Sequence, residues 1–376
     1  MIRKLSLISA CCAILSACAA ATESSETPLV GTPDNAGVDP SGMAGGAAPA
    51  PTDPAQPSGD APVPNTPDAM PPPDSAPPTS MDAEHADAPF TTPSPVGCVS
   101  DVSAGKHEFA CDGIRHFVSV PDACLTHACG LVVDVHGGTM DAAMEDHNTN
   151  IAALGTEAGY LVLQPSAFGN NWSPGVDDDK IVAFMEDLFA AFHVDRDRVH
   201  VMGFSQGGFM TWRLLCKRAD WFASVSPGGA GNAVPLAPAG CAFSGAEMPS
   251  AEVSILHLAG TKDAFVPITS QQQQRDTVVA AWGMPAPDVE EGTGFRRSRY
   301  TSAAGTVYEY LEHDYETDAA FFVAIKGHCY PGSTDYTPQV PGQLMGFGCK
   351  GDNAFHWGQE AIRFFIEHPK PGAVMP

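Results

Sequence analysis

Beyond residue 98 the chain alternates short runs of β-branched and other apolar residues with longer stretches of helical periodicity. This alternation predicts an α/β fold, with a mostly parallel central sheet and helices on both faces. The predicted strands are residues 131–135, 160–163, 199–203, 223–226, 254–259, 306–311 and 321–325. The predicted helices are residues 142–158, 179–192, 206–218, 271–282 and 354–367. These elements fit one folded domain, residues 98–376.

The N-terminus has two basic residues, then an apolar stretch, then the sequence Leu-Ser-Ala-Cys ending at Cys18. This order is typical of a signal peptide, and the apolar stretch is too short to span a bilayer as a stable helix. Because the last four residues resemble a bacterial lipobox, we predict a lipoprotein signal peptide over residues 1–17 and lipidation of Cys18. An ordinary signal peptide ending at Ala17 or Ala20 is the alternative. Ala19 resembles the second residue of outer-membrane lipoproteins, so we expect an exported protein, lipid-anchored at the outer membrane or cell surface, or secreted.

Residues 18–97 are rich in Pro, Ala and Asp and contain almost no large apolar side chain. Such a segment cannot bury enough surface to offset its ordering entropy, so we predict a disordered, semi-extended linker. The formal net charge is −25, and no Lys or Arg lies between Ala19 and Gly105. This acidity argues against nucleic-acid binding. We expect membrane contact only through the lipid anchor.

Eight cysteines remain when Cys11 and Cys12 leave with the signal peptide and Cys18 carries the lipid. An even number of cysteines in an exported chain indicates disulfides. Connectivity does not follow from the sequence, but neighbour pairing closes short loops and is the favoured arrangement. It joins Cys98 to Cys111, Cys124 to Cys129, Cys216 to Cys241 and Cys329 to Cys349. Zinc binding is less consistent with the sequence, because these eight contain no Cys-x-x-Cys pair; no metal or cofactor is predicted.

The sequence Gly203-Phe204-Ser205-Gln206-Gly207 matches Gly-x-Ser-x-Gly, in which glycines flank a sharp turn that lifts a serine between a strand and a helix. The motif alone is weak evidence, but an apolar strand precedes it and an amphipathic helix follows it. We therefore predict Ser205 as a nucleophile in an α/β-hydrolase fold. An ordinary glycine-rich turn is the alternative.

A serine hydroxyl needs a base to accept its proton, and the base needs a carboxylate to orient it. In this fold the acid and then the histidine follow the serine along the chain. Asp263 follows the predicted strand 254–259, and His328 follows the predicted strand 321–325. His356, which precedes the final helix, is the rival base. The predicted triad is Ser205, Asp263 and His328.

The oxyanion of the tetrahedral intermediate needs N–H donors held in place beforehand. One predicted donor is the backbone amide of Gln206, directly after the serine. The other comes from the turn His136-Gly137-Gly138-Thr139, where either Gly138 or Thr139 is the donor. We expect His136 to hold this loop.

From Cys111 to His368 the chain resembles the single-domain esterases of the poly(3-hydroxybutyrate) depolymerase and feruloyl esterase group. The stretches that carry the resemblance are residues 133–139, 194–199, 203–208, 259–267 and 327–332. The resemblance implies hydrolysis of carboxylic esters through an acyl-enzyme, with the family's triad at Ser205, Asp263 and His328. It implies a small-molecule or oligomeric ester as the substrate.

Two aromatic residues are candidates for substrate binding. Trp172 resembles an aromatic residue that lines the family's cleft, although a packing role fits it equally well. After the catalytic histidine the family usually has a small hydroxyl residue and then Trp, whereas this chain has Cys329 and Tyr330. The resemblance therefore makes Tyr330 a candidate for the wall of the substrate pocket.

Two other functions fit this fold. A serine peptidase is the first, but the large accessory domain of oligopeptidases is missing from the sequence. A non-catalytic binding lipoprotein is the second, and the complete Ser, Asp and His set argues against it. Because no Trp-rich binding module follows the last predicted helix, we expect a preference for soluble short-chain or aromatic acyl esters over crystalline polyester.

Overall fold

The computed structural model describes residues 90–232, 241, 248–321, 323–333 and 347–371. The predicted signal peptide, the lipidated Cys18 and the linker before residue 90 lie outside the described residues. Residues 90–97, which the sequence placed in the linker, already contact the domain. The amide of Ser94 donates to the Ala191 carbonyl at 2.9 Å, and the Phe90 ring stacks on His193. Within these ranges, no helix is long and apolar enough to cross a membrane.

A ten-stranded sheet forms the centre of the domain, in the order β1-β2-β4-β3-β5-β6-β7-β10-β9-β8. Its strands are β1 (Gly105–Cys111), β2 (Ile114–Val120), β3 (Cys129–Val135), β4 (Tyr160–Ser166), β5 (Val194–Phe204), β6 (Ser224–Gly228), β7 (Ser254–Gly260), β8 (Asp288–Gly292), β9 (Phe295–Thr301) and β10 (Val307–His313). The six strands from β4 to β10 in this order pair in parallel. Two antiparallel hairpins, β1–β2 and β9–β8, extend its two edges. The sheet is therefore mostly parallel, as predicted, and the hairpins are additions that the sequence did not predict.

Within the described ranges, six α-helices accompany the sheet: α1 (Ala142–Thr149), α2 (Ile151–Glu157), α3 (Asp177–Ala191), α4 (Gln206–Arg218), α5 (Ile268–Ala281) and α6 (Trp357–Glu367). The single helix predicted over residues 142–158 is wrong, because α1 and α2 are separate helices. Asn150 lies between them with φ 53° and ψ 28°. Asn tolerates this left-handed conformation better than most residues, and one such residue ends a helix.

The core lies on both faces of the sheet. Along β3, Leu131 and Val133 pack with α3 and α4 in one apolar cluster, whereas Val132 belongs to a second cluster with α6. Side chains alternate between the faces of a strand, so a central parallel strand is apolar at nearly every position. This accounts for the continuous apolar runs in the sequence. With the serine turn directly after β5, the architecture is the α/β-hydrolase fold.

The strand predicted at residues 321–325 does not join the central sheet. It belongs to a separate antiparallel pair, β11 (Thr317–Phe321) and β12 (Val323–Lys326). The edge of β10 that faces away from β7 is already paired with β9. The end of β12 instead forms a bridge between Lys326 and Asp263, and this places the loop that carries His328 beside the loop that carries Asp263.

Four disulfides have the predicted neighbour pairing. They join Cys98 to Cys111, Cys124 to Cys129, Cys216 to Cys241 and Cys329 to Cys349. Their Cα–Cα distances run from 5.0 to 6.3 Å, within the range that a disulfide spans. The pairing predicted from the sequence is confirmed.

Candidate active site

Ser205 occupies a sharp turn between β5 and α4. Its backbone has φ 54° and ψ −118°, a region that non-glycine residues rarely enter and that costs energy to maintain. A Cβ atom on Gly203 would lie 2.6 Å from the Val135 carbonyl oxygen, and one on Gly207 would lie 1.8 Å from it. Both positions therefore require glycine, because β3 passes directly against the turn. The glycines of the motif therefore allow the close packing against β3 that holds Ser205 at the end of β5.

Asp263 and His328 form a hydrogen-bonded pair beside this turn. His328 Nδ1 lies 2.7 Å from Asp263 Oδ2, and the carboxylate side chain is fully buried. The other oxygen, Oδ1, accepts from the amides of Phe265 at 2.8 Å and Val266 at 2.7 Å. These hydrogen bonds fix the orientation of the carboxylate toward His328. Asp263 Oδ2 accepts the hydrogen bond from the N–H group at His328 Nδ1, which leaves Nε2 with a lone pair that can accept a proton.

Gln271 is a supporting residue that sequence reasoning missed. From α5 its side-chain nitrogen lies 3.3 Å from Asp263 Oδ2 and donates to the Val266 carbonyl at 2.8 Å. Gln271 is fully buried. In the sequence it is the first of four consecutive glutamines on a helix, so no local signal distinguishes it from a solvent-facing residue. The structure assigns it to holding the carboxylate and its loop together.

The end of β6 brings the serine and the histidine to the same place. The Ser205 amide donates to the Gly228 carbonyl at 2.8 Å, and a Cβ atom on Gly229 would lie 3.1 Å from His328 Cε1. Among the described residues, the Ser205 hydroxyl makes no hydrogen bond to His328. Catalytic hydrogen bonds of this kind are often long until substrate binds. The Phe204 ring, 4.8 Å from the imidazole centroid, packs against His328.

The loop after β3 lies against Ser205. Its hydrogen bonds distinguish the two candidates for the second oxyanion donor, Gly138 and Thr139. The Thr139 amide donates to the Asn170 carbonyl at 2.6 Å, so this amide is already engaged. Among the described residues, the Gly138 amide has no acceptor. A Cβ atom on Gly138 would lie 3.4 Å from the Gln206 side-chain oxygen, which places Gly138 beside the first predicted donor. The geometry therefore favours the amides of Gln206 and Gly138.

His136 holds the loop from within. Its Nδ1 donates to the Gly137 carbonyl at 2.7 Å, and its Nε2 accepts from the Ala167 amide at 3.0 Å. Burial lowers the pKa of His136 to about 4, because a charged imidazole is costly away from water. The ring is therefore neutral at neutral pH and acts as a spacer between two backbone segments.

Trp172 packs beneath the same loop and is only 4% exposed. Its indole Nε1 donates to the His136 carbonyl at 2.8 Å, and its ring lies 4.6 Å from the imidazole of His136. The Gln206 side chain binds the Trp172 backbone twice, at 3.0 and 3.2 Å. This burial corrects the prediction that Trp172 lines the cleft. Of the two roles considered for it, the packing role fits, because its polar atom is used inside the protein.

Tyr330 is also buried, with no exposed surface. Its hydroxyl donates to Glu145 Oε2 at 2.6 Å, and its ring packs on Phe204 and Trp357. This position corrects the prediction that Tyr330 forms the pocket wall, because a buried tyrosine hydroxyl needs a partner and Glu145 supplies one. Glu145 was not predicted from the sequence.

The rival base, His356, lies at the start of α6, where its carbonyl accepts from the Glu360 amide at 3.0 Å. It packs behind the loop that carries His328, called the histidine loop below, since a Cβ atom on Gly332 would lie 2.8 Å from the His356 Cβ. The carboxylate of Asp263 binds His328 instead. Of these two histidines, His328 is therefore the one that the fold pairs with Asp263.

No family model matches the chain. It is 25% identical over 244 residues to NocK of Nocardia uniformis subsp. tsuyamanensis, whose name marks it as a candidate esterase, covering 56% of this chain and 69% of that protein. It is 28% identical over 230 residues to poly(3-hydroxyalkanoate) depolymerase C of Paucimonas lemoignei, covering 51% of this chain and 55% of that protein. It is 27% identical over 146 residues to feruloyl esterase B of Neurospora crassa, covering 33% of this chain and 50% of that protein. The chain thus spans about two thirds of NocK and about half of the other two.

Among solved structures, the acetyl xylan esterase from Aspergillus awamori aligns with a TM-score of 0.46 and 14% identity, covering 56% of this chain and 93% of that one. The sequence relatives support the resemblance to the poly(3-hydroxybutyrate) depolymerase and feruloyl esterase group.

Proposed function

We propose that this chain, a carboxylic ester hydrolase of the α/β-hydrolase fold, acts through an acyl-enzyme on Ser205. The observation that carries the proposal is the buried hydrogen bond of 2.7 Å between Asp263 and His328, at the turn that holds Ser205. A serine, a histidine and a buried carboxylate in this order supply a nucleophile, a base and the group that orients the base.

In the acylation step the Ser205 oxygen attacks the ester carbonyl carbon while His328 Nε2 takes the hydroxyl proton. Asp263 remains ionised and stabilises the imidazolium that forms. The amides of Gln206 and Gly138 face the negative charge that develops on the carbonyl oxygen. When the tetrahedral intermediate collapses, the C–O bond to the alcohol breaks and His328 returns the proton to the leaving alkoxide.

In the deacylation step water takes the place of the alcohol. His328 Nε2 removes a proton from the water as its oxygen attacks the acyl carbon, and the same two amides face the second oxyanion. The bond from Ser205 to the acyl group then breaks, the proton returns to Ser205, and the acid is released. No cofactor enters this scheme.

Labelling with a fluorophosphonate tests the nucleophile. Wild-type protein is expected to gain one phosphonyl group by intact mass and to hydrolyse p-nitrophenyl acetate. Ser205→Ala is expected to lose the label and to lose turnover by roughly 10³-fold or more. Ser103→Ala, at an exposed serine, is the matched control and should behave as wild type. Turnover of Ser205→Ala at the wild-type rate would contradict the assignment, and faster cleavage of matched amides than of esters would favour a peptidase.

For the substrate class we propose soluble short-chain or aromatic acyl esters, such as hydroxybutyrate oligomers or feruloyl sugars. Support comes from the names of two relatives, a poly(3-hydroxyalkanoate) depolymerase and a feruloyl esterase. Initial rates on methyl ferulate, hydroxybutyrate trimer and crystalline polyhydroxybutyrate test the proposal. Fastest hydrolysis of the crystalline polymer would refute it.

For the location we propose export and anchoring through a lipid on Cys18, as the lipobox-like sequence before it suggests. Expression in a bacterium fed radiolabelled palmitate should label the wild-type chain. Cys18→Ala should lose the label and leave the membrane fraction. An unlabelled wild-type chain in the soluble fraction would contradict the anchor.

A further inference from the structure

Two carboxyl groups without solvent contact lie behind the loop of residues 136–139, called the oxyanion loop below. Asp134 is on β3 and Glu145 is on α1, and neither has exposed surface. The Thr149 hydroxyl connects their surroundings, because it lies 3.1 Å from Asp134 Oδ2 and 3.0 Å from the backbone carbonyl of Glu145. Asp134 therefore faces α1 one turn from Glu145.

Each carboxyl uses one oxygen and leaves the other without a partner. Asp134 Oδ2 accepts from Thr149 and, at 3.1 Å, from Gln164, and Glu145 Oε2 accepts from Tyr330 and from the Gly137 amide. Asp134 Oδ1 and Glu145 Oε1 are buried with no hydrogen-bond partner among the described residues. An unpartnered buried carboxylate oxygen is costly, and protonation of the carboxyl group removes the charge that makes its burial most costly.

The electrostatics point the same way. Burial, followed by the charge of Asp134, raises the pKa of Glu145 well above its usual range. Burial raises the pKa of Asp134 to about 7, with a smaller contribution from Asp146. In the described part of the chain, the charged groups that act on the two carboxyls are acidic, namely Asp134 and Asp146, and the neutral phenol of Tyr330 also faces Glu145. Two buried carboxylates with no cation beside them are too costly to be ionised at the same time, so the Asp134 and Glu145 pair retains a proton.

Glu145 connects the two loops that carry the proposed chemistry. Its Oε2 accepts from the Gly137 amide at 3.2 Å, and Gly137 directly precedes the proposed oxyanion donor Gly138. The same oxygen accepts from Tyr330 at 2.6 Å, and Tyr330 lies two residues after His328. One buried side chain therefore fixes the oxyanion loop and the histidine loop relative to each other.

We propose that Glu145 is a positioning residue that holds the oxyanion loop against the histidine loop, and that it does so while the Glu145 and Asp134 carboxyl pair retains one proton. The effect on catalysis rests on the function proposed above. When alkali removes this proton to solvent, both groups carry a charge and repel each other, α1 moves from β3, and the Gly137 amide loses its fixed acceptor. The kcat should therefore fall on the alkaline side, with little change in KM.

Three variants and a control pair separate positioning from simple stability. Glu145→Ala removes the acceptor. Tyr330→Phe removes the hydroxyl that binds Glu145 Oε2 and also lies 3.6 Å from Met140 Sδ. Glu145→Gln keeps an acceptor oxygen but cannot ionise. Glu157→Ala and Glu157→Gln make the same changes at an exposed position on α2. Steady-state kinetics on p-nitrophenyl acetate from about pH 6 to about pH 10 give kcat and KM for each.

Glu145→Ala is expected to lose about 10- to 100-fold in kcat, the size of effect that a misplaced oxyanion donor produces, with KM changed by less than about threefold. Tyr330→Phe is expected to lose about tenfold in kcat and provides the test if Glu145→Ala does not fold. Glu145→Gln should retain kcat within about threefold at neutral pH and lack the alkaline decline. The Glu157 variants should match wild type.

Two further measurements separate this inference from the proposed function. Fluorophosphonate labelling counts reactive Ser205, and no labelling of wild type would refute the proposed function alone. Infrared spectra of protein with isotope-labelled glutamate report the proton directly: a protonated-carboxyl band near neutral pH should be present in wild type and absent in Glu145→Gln. The inference is overturned by a missing band, by equal losses in Glu145→Gln and Glu145→Ala, by wild-type kcat in both Glu145→Ala and Tyr330→Phe, or by an alkaline decline that persists in Glu145→Gln.

Discussion

Replacement of Asp134 by Asn measures what the buried carboxyl pair costs the fold. Burial raises the pKa of Asp134 from its ordinary value of 3.8 to about 7. A shift of roughly three units corresponds to ~4 kcal/mol at 1.36 kcal/mol per unit. Because the folded-state pKa is the higher one, the folded protein binds the proton more tightly. This contribution to stability is fully present below about pH 4 and is lost as the pH rises through about 7.

The amide side chain of the Asp134→Asn variant cannot ionise, and it keeps an oxygen that accepts from Thr149 and Gln164, as the Asp134 carboxyl does. Asp134→Asn should therefore be more stable than wild type near pH 8, by up to ~4 kcal/mol, and show no such advantage near pH 4.

Urea unfolding at a series of pH values, with the disulfides intact, gives the free energy of unfolding for each variant. Asp122→Asn, at an exposed aspartate, is the control and should follow wild type. Parallel pH profiles for Asp134→Asn and wild type, or a greater advantage in acid, would refute the reasoning.

Two other residues provide tests of support for the site. Gln271→Ala removes a donor to the triad carboxylate, so kcat should fall about tenfold with KM nearly unchanged in steady-state assays, and an unchanged kcat would contradict its role. Trp172→Phe keeps a ring but removes the donor to His136; we expect a loss of about 1 kcal/mol in unfolding free energy and equal effects on acetate and ferulate esters. A KM increase confined to ferulate esters would instead assign Trp172 to the substrate cleft.

The sequence predicted the serine turn because its signal lies within one short segment. The glycines around Ser205 are required by the close passage of β3, and a strand and a helix on either side can be read from their apolar patterns. The positions of Asp263 and His328 followed from chain order in this fold. These residues lie in short segments whose chemistry is visible without knowledge of distant contacts.

The β8–β9 hairpin was missed for a physical reason. All five residues of β8 are exposed, and β9 is only partly buried. Such strands lack the apolar alternation that marks a half-buried strand. Their pairing comes from backbone hydrogen bonds and cross-strand ion pairs, such as Arg296 with Glu291, and a sequence pattern does not reveal either.

Roles of buried aromatic residues also depend on partners that are distant in the chain. Tyr330 and Glu145 are 185 residues apart, and Trp172 and His136 are 36 apart. An aromatic residue near a predicted site fits a cleft or a core equally well until the partner of its polar atom is known. Glu145, on a short helix with mixed polarity, has no sequence pattern that distinguishes it from a surface acid.

The contacts of Cys329 and Tyr330 explain the departure from the family pattern after His328. Cys329 is joined to Cys349, and the Tyr330 hydroxyl is bound to Glu145, so both residues after the histidine are attached to other parts of the domain. The Tyr330 amide donates to the Phe347 carbonyl at 2.8 Å, which adds a third attachment. A base that must keep its alignment with Asp263 benefits from a loop with little freedom. The change in sequence therefore alters how the histidine loop is held, whereas neither Cys329 nor Tyr330 is exposed to contact a substrate.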